Sequence, residues 1–402
     1  MANLEIRIPA LIIIICVMFS PLPAAATEVS QPPQSASAQA LAVPLAPILS
    51  LNRTQLNFGS ISGGVQTGPQ RFLVDNSGDG NIDWTVQGDA AWISVNPTAG
   101  NGSHFVDVAI DPSGLSSGTY SGSVIVTDTA ASNSPQTIAI NLKVYNAGST
   151  SPPFGVFSTP VDGTTVSSAV PFTGWALDDI AVSAVKIFRQ DGGDSFIADA
   201  IFVDGARPDV EAAYPDYPRN SEAGWGYMMI TNFLPGGGNG TFTFVAKAID
   251  IEGNEVTLGT KTITVDNANA VKPFGTLDTP IQGGVASGTD FRLHGWVLTP
   301  QPNVVPTDGS TISIWIDGIN IGHPTYNLYR NDIATLLPGY NNSDGAGFYL
   351  DLDTTNYQNG IHTIFATATD DAGNTDGIGA RFFTINNPGA PVPVELMNFV
   401  IE

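Results

Sequence analysis

Cysteine is almost absent from this chain of 402 residues: Cys16 is the only one. It sits inside an N-terminal apolar run, so the rest of the chain has no disulfide framework and no thiolate metal site. Stability must come from core packing. Charge is also scarce, at 13% of residues, about half the usual share of a soluble domain. The shortage falls on one sign, with 14 Lys and Arg against 37 Asp and Glu, for a net charge of −23. Such a surface repels phosphate backbones and anionic lipid, which disfavours nucleic-acid and membrane-surface partners. With so little Lys and Glu, long exposed helices are not expected. Histidine is limited to His104, His294, His323 and His362, scattered along the chain. There is no His-Glu-x-x-His motif and no phosphate-cradling Gly-Lys-Ser/Thr loop, and no strand–helix alternation to host a nucleophile elbow. These gaps point away from an enzyme.

What the chain does have is 43 Gly, 29 Pro and a 42% hydrophobic content. That mixture suits short strands joined by tight turns. Runs such as Phe105-Val106-Asp107-Val108-Ala109-Ile110 and Ile138-Ala139-Ile140-Asn141-Leu142 alternate apolar with polar residues, the period of a strand with one face in a core. Turn clusters at 76–80, 96–100 and 113–118 separate them. The expected fold class is all-β: three tandem immunoglobulin-like β-sandwiches.

The second and third of these are copies. Phe154-Gly155, Thr159-Pro160 and Gly163 return 120 residues later as Phe274-Gly275, Thr279-Pro280 and Gly283. Gly174-Trp175-Ala176-Leu177 returns as Gly295-Trp296-Val297-Leu298, Arg207-Pro208-Asp209 as Arg330-Asn331-Asp332, and Asp250…Asn254 as Asp370…Asn374. A repeat this long is a whole domain rather than a solenoid unit. The expected organisation is a signal peptide at 1–26, a Pro/Ser/Ala/Gln linker at 27–47, sandwiches at 48–147, 151–267 and 272–387, and a tail at 388–402 that looks truncated. The signal-peptide reading rests on Arg7, the apolar run 8–19 and Ala24-Ala25-Ala26; an uncleaved anchor is the alternative. Short linkers between sandwiches suggest a semi-rigid rod.

Trp92-Ile93-Ser94-Val95-Asn96-Pro97-Thr98-Ala99-Gly100 followed by Gly118-Thr119-Tyr120-Ser121-Gly122-Ser123 resembles the BACON family of secreted bacterial β-sandwich modules. That resemblance covers about a quarter of the chain and implies a carbohydrate-binding role. Thr159-Pro160-Val161-Asp162-Gly163 and Ala246-Lys247-Ala248-Ile249-Asp250, with their copies, resemble bacterial immunoglobulin-like domains found in adhesins and beside secreted enzymes. Val392-Pro393-Val394-Glu395-Leu396 resembles the stretch before a C-terminal sorting domain.

The resulting expectation is a secreted or cell-surface binding or adhesion protein of bacterial type, directed at an extracellular glycan or surface protein. The alternative is a structural spacer or accessory region of a larger secreted enzyme or surface protein. Candidate ligand-binding residues are Trp225, Tyr217, Tyr227, Arg207 and Asp209, with Tyr340, Arg330 and Asp332 in the third sandwich, since sugars stack on exposed aromatic rings; the alternative is a tightly packed internal loop braced by the Arg and Asp. Trp92, Trp175, Trp296 and Trp315 sit in apolar strand patterns and are expected in cores. No cofactor is required, but calcium is a candidate ligand of Asp250, Asn254, Asp370 and Asn374, against a simple turn-capping role. Asp75–Asp83 imitates half of a calcium loop but lacks its closing Glu, and a hairpin turn explains it better.

Overall fold

The computed structural model describes residues 46–387. The expected signal peptide and tail, and the linker up to residue 45, lie outside the described residues. The fold is mostly β, with 54% strand and 8% helix. In the first sandwich a four-stranded sheet runs in the order Leu49–Leu51, Gln70–Asn76, His104–Ile110, Ile93–Asn96. It faces a five-stranded sheet of Gln55–Ile61, Gln136–Tyr145, Gly118–Thr127, Asp83–Gly88 and Ala99–Asn101. Alternation places Phe72, Trp84, Ile138, Ile140 and Leu142 between the sheets, fully buried. Each such side chain contributes roughly 1.5–3 kcal/mol over its exposed state.

The second sandwich wraps eight strands into one continuous ladder. Asp194–Val203 makes this continuity by pairing with Val182–Gln190 along one part and with Gly224–Ile230 along its end. The third sandwich keeps two separate sheets, of four and five strands. The duplication seen in the sequence is a duplication of register. Phe154 pairs with Leu177 as Phe274 pairs with Leu298. Gly174 pairs with Trp225 as Gly295 pairs with Phe348. The repeated Gly-Trp is explained by this packing. A Cβ on Gly174 would stand 2.3 Å from the Trp225 ring, and one on Gly295 would stand 2.6 Å from the Phe348 ring. Only glycine leaves room for the aromatic that fills each core.

Two expectations are corrected. The Asp75–Asp83 segment is not a hairpin, because its flanking strands lie in different sheets. It is an inter-sheet crossing stapled by the buried Asn76, whose Oδ1 accepts from Ile48 N and Gly78 N and whose Nδ2 donates to Gly80 O. Nor do the sandwiches form a rod. The third returns to the first, where Asn359 Nδ2 donates to Ser103 O at 3.3 Å, and one cavity is lined by Arg71 and Phe105 of the first, Phe202 and Asp204 of the second, and Ile361 and Phe382 of the third. Short linkers did not set the direction of the sandwiches.

The junction between the first two sandwiches is held by polar contacts. Arg53 reaches from the first to Asp204 and Glu211 of the second, at 2.6 Å each. Gln55 and Asn57 both donate to Pro215 O at 2.7 Å. Thr67 Oγ1 donates to Ile180 O at 2.7 Å while accepting from Gly59 N. Gly59 lies so close that a Cβ on it would stand 2.0 Å from Asp179 O. Gly59→Ala is therefore expected to lower stability by about 1–3 kcal/mol, as overpacking does, measured by chemical denaturation. Gly193→Ala, which meets no atom within 4 Å, is the control and should change stability by less than about 0.5 kcal/mol.

Candidate functional site

Three carboxylates converge at that same junction. Leu177 ends a strand, and the chain turns through Asp178 and Asp179 before the next strand starts at Val182. Glu252 stands opposite, in the turn after the strand Asn239–Asp250. One carboxylate oxygen from each of Asp178, Asp179 and Glu252 lies within 4.8 Å of the other two. Each carboxylate is held by one of its oxygens. Asp178 Oδ2 accepts from Ile180 N and Ala181 N, Asp179 Oδ2 from Ser151 N, and Glu252 Oε1 from the Thr150 hydroxyl at 2.6 Å. The remaining oxygens, Asp178 Oδ1, Asp179 Oδ1 and Glu252 Oε2, are buried without a hydrogen-bond partner. Among the described residues no Lys or Arg forms an ion pair with any of the three.

The electrostatics follow from this geometry. Asp178 is 1% exposed. Burial first, then the neighbouring carboxylates Asp179 and Asp250, push it up to about 6 against the pull of its backbone donors. Asp179 is also raised, chiefly by burial. Burial together with these negative charges pushes the nearby Tyr145 phenol up to about 12.

The residues expected from the sequence are placed elsewhere. Trp225 is not an exposed platform: it is 3% exposed on the strand Gly224–Ile230 and packs at 5.7 Å on Phe157 in the second core. Its indole N–H is buried and unpartnered. Tyr217 and Tyr214 pack edge-on against Phe154, at 5.2 and 5.3 Å, in a small satellite core. Tyr340 packs on Phe274 at 5.1 Å, and its hydroxyl accepts from Asn232 Nδ2, so it belongs to the junction of the second and third sandwiches. Tyr227 is half-buried and lines a groove at that junction beside Met228 and Ile281. The binding edge expected around Trp225 is thus corrected to packing, because a strand rather than a loop carries it.

The Arg–Asp pairs are braces. Arg207 and Arg330 occupy the same position before the short helices Pro208–Ala213 and Asn331–Leu336, and each grips the carboxylate two residues on with two hydrogen bonds. Those guanidinium contacts hold Asp209 and Asp332 down to about 2. Arg330 also pairs with Asp278 at 2.7 Å, tying helix to strand.

The turns named for calcium are self-capped. Asp250 Oδ1 accepts from Glu252 N and Asn254 N, and its Oδ2 accepts from Asn254 Nδ2. Asp370 makes the same bonds to Ala372 and Asn374 and adds Thr299 Oγ1 and Asn303 Nδ2. Burial pushes the Asp370 carboxyl up, but this donor set outweighs it and holds the group below its usual value. Every oxygen of these two carboxylates is engaged by the protein, which corrects the assignment of calcium to Asp250, Asn254, Asp370 and Asn374.

Asp178, Asp179 and Glu252 escaped the sequence reading, although a signal existed. The third sandwich has Thr299 and Ala372 where the second has Asp178 and Glu252. Two of the positions at which the copies differ in charge, 178 and 252, lie where the second sandwich meets the connection from the first. Contrary to the expectation that no Gly-x-Ser-x-Gly elbow occurs, Gly114-Leu115-Ser116-Ser117-Gly118 spells that motif, but it links two strands and has no helix after it.

Comparison with known proteins bears on the first sandwich. Residues 49–139 match the viral BACON domain model. The match identifies the module and leaves its host open. No curated protein matches the chain. Among solved structures, the fibronectin(III)-like modules of Clostridium thermocellum CbhA align over 58% of this chain and 95% of theirs at 16% identity, with a TM-score of 0.20. A three-immunoglobulin segment of titin aligns over 86% of this chain and 99% of its own at 10% identity, with a TM-score of 0.20. Immunoglobulin domains 1–5 of Sidekick-1 align over 86% and 60% at 12% identity, with a TM-score of 0.25. BACON domains are typical of extracellular proteins. No described helix is long and apolar enough to cross a membrane.

Truncating Trp225 to Ala should cost about 3–5 kcal/mol of stability. Trp225→Phe keeps most of the packing and removes the orphaned N–H, so it should cost less than about 1.5 kcal/mol. Urea unfolding of both variants measures the difference.

Proposed function

We propose that this chain is a secreted or cell-surface accessory scaffold without catalytic activity. Its three sandwiches act as one block that holds a neighbouring region or partner in a fixed position. The observation that supports this reading most is the interlocking of the sandwiches. Arg53 spans the first junction, Asn232 and Tyr340 the second, and Asn359 closes the third sandwich on the first. Apolar packing runs across the second junction as well, where Ala169 and Ile230 lie against Phe274, Trp296 and Ile333. Independently moving spacer domains would need none of these contacts. Calorimetry of the full-length chain should give one cooperative transition that coincides by fluorescence and circular dichroism. Separate transitions for the sandwiches would contradict the reading.

A second reading, binding of an extracellular glycan or surface protein, is favoured by a different aromatic pair. Ile312, Ile314 and Ile316 take the core side of their strand, so Trp315 points outward. It stacks on its cross-strand partner Phe365, with centroids 5.6 Å apart and planes 4° from parallel. Its indole N–H reaches Thr367 Oγ1. Half-exposed rings with hydroxyls at their edge suit the apolar face and rim of a sugar. A glycan array on the full-length chain reads this directly. Binding that Trp315→Ala abolishes, with the circular dichroism unchanged, supports it; a blank array, or binding that survives the substitution, contradicts it.

A further inference from the structure

We propose that Asp178, Asp179 and Glu252 bind one divalent cation, calcium by the chemistry of its donors, at the junction between the first and second sandwiches. The inference rests on the site alone and is independent of the scaffold reading. A group of acidic residues is common on a surface as negative as this one. What sets these three apart is that each keeps one oxygen buried and unpartnered while its other oxygen is fixed by the chain. Asp178, at 1% exposure, has its free oxygen inside the protein. Three grouped carboxylates, each with a buried unpartnered oxygen and with no Lys or Arg ion-paired to them among the described residues, concentrate negative charge that only Lys143, acting on Asp179 without an ion pair, offsets. Burying such charge is strongly unfavourable unless a counter-ion or proton accompanies it.

The donors select the ion. All are hard oxygens, with no histidine or cysteine among them, which suits calcium or magnesium over zinc. Oxygens within 4.8 Å of one another fall inside the span that calcium ligands cover, roughly 4.6–5.2 Å across the ion. Magnesium demands near-ideal octahedral geometry and dehydrates reluctantly, so three carboxylates fixed on two turns and backed by water suit calcium better. Calcium takes six to eight oxygens, so water would complete the shell.

The duplicated sandwich supplies an internal comparison. At the equivalent place the third sandwich has Thr299 and Ala372, and there the Asp370 carboxylate is saturated by neutral donors. The same fold thus closes this corner with protein donors alone when its acids are Asp370 and Asp371, the latter accepting from Val304 N. The second sandwich keeps the capped Asp250 and adds three acids, Asp178, Asp179 and Glu252, beside Ser151 and Thr150 of the connection to the first. A cation bound here would tie that connection and both turns of the second sandwich together.

Isothermal calorimetry and thermal melts on the full-length chain, stripped with chelator, test this with calcium chloride and, in a second arm, magnesium chloride. The expected result is one calcium per chain, binding at least tenfold tighter than magnesium, with a melting temperature that rises on addition of calcium. Glu252→Gln and Asp179→Asn should each weaken calcium at least tenfold. Each should also melt above wild type in chelator, because a like charge has been removed. If Asp179→Asn fails to fold, Glu252→Gln carries the test. No heat and no melting shift up to about 10 mM calcium, beyond the weakest extracellular sites, would overturn the proposal. So would calcium binding that both variants retain, which places the ion elsewhere.

Discussion

The close approach of Gly59 to the Asp179 carbonyl sets the geometry of the first junction. A strand of the first sandwich can lie this near a turn of the second only because position 59 lacks a side chain. Thr67 then bridges the two backbones, and Gln55 and Asn57 seat themselves on Pro215. With the turn pressed against its neighbour, the carboxylates at 178 and 179 lose access to water. Arg53 is drawn into the same interface and neutralises two other acids, Asp204 and Glu211, at 12% side-chain exposure. The junction thus contains two opposite solutions to buried acid: one with a guanidinium in direct contact, the other with no ion pair among the described residues.

Duplication makes the contrast readable. Both copies keep the glycine that admits a large aromatic into the core, the Arg–Asp brace before a one-turn helix, and the Asx-capped turn at Asp250 or Asp370. These are the features each sandwich needs in order to fold. The copies diverge at their outer corners, where each meets something different. Thr299 completes a neutral network inside the third sandwich, whereas Asp178 in the second faces the junction. Folding constraints are shared, and the contacts between sandwiches are individual.

The all-β class and the repeat were legible because both are written locally. Period-two alternation fixes which residues of a strand enter a core, and repeated motifs in one order mark a copied domain. Trp315 could have been read the same way: in Ile-Ser-Ile-Trp-Ile the three isoleucines claim one face and leave the indole on the other. Trp225 misled because Asn220-Ser221-Glu222-Ala223-Gly224 looks like an open loop, yet the ring enters a strand beneath Gly174. Which sheet a strand joins, and which sandwich meets which, depend on contacts between residues distant in sequence. Neither the Asp75–Asp83 crossing nor the return of the third sandwich to the first leaves a local pattern. The carboxylate cluster combines residues some 70 positions apart (178 to 252) and was hidden for the same reason.

The account stands on the three sandwiches closing into one block, and a spin-label distance tests that most directly. Asp75 of the first sandwich and Gln358 of the third line one cavity. Labels on Asp75→Cys and Gln358→Cys, in a Cys16→Ser background, should give a single short and narrow distance distribution in solution. A broad distribution extending to the length of two sandwiches laid end to end would show that the third sandwich swings free, and would contradict it.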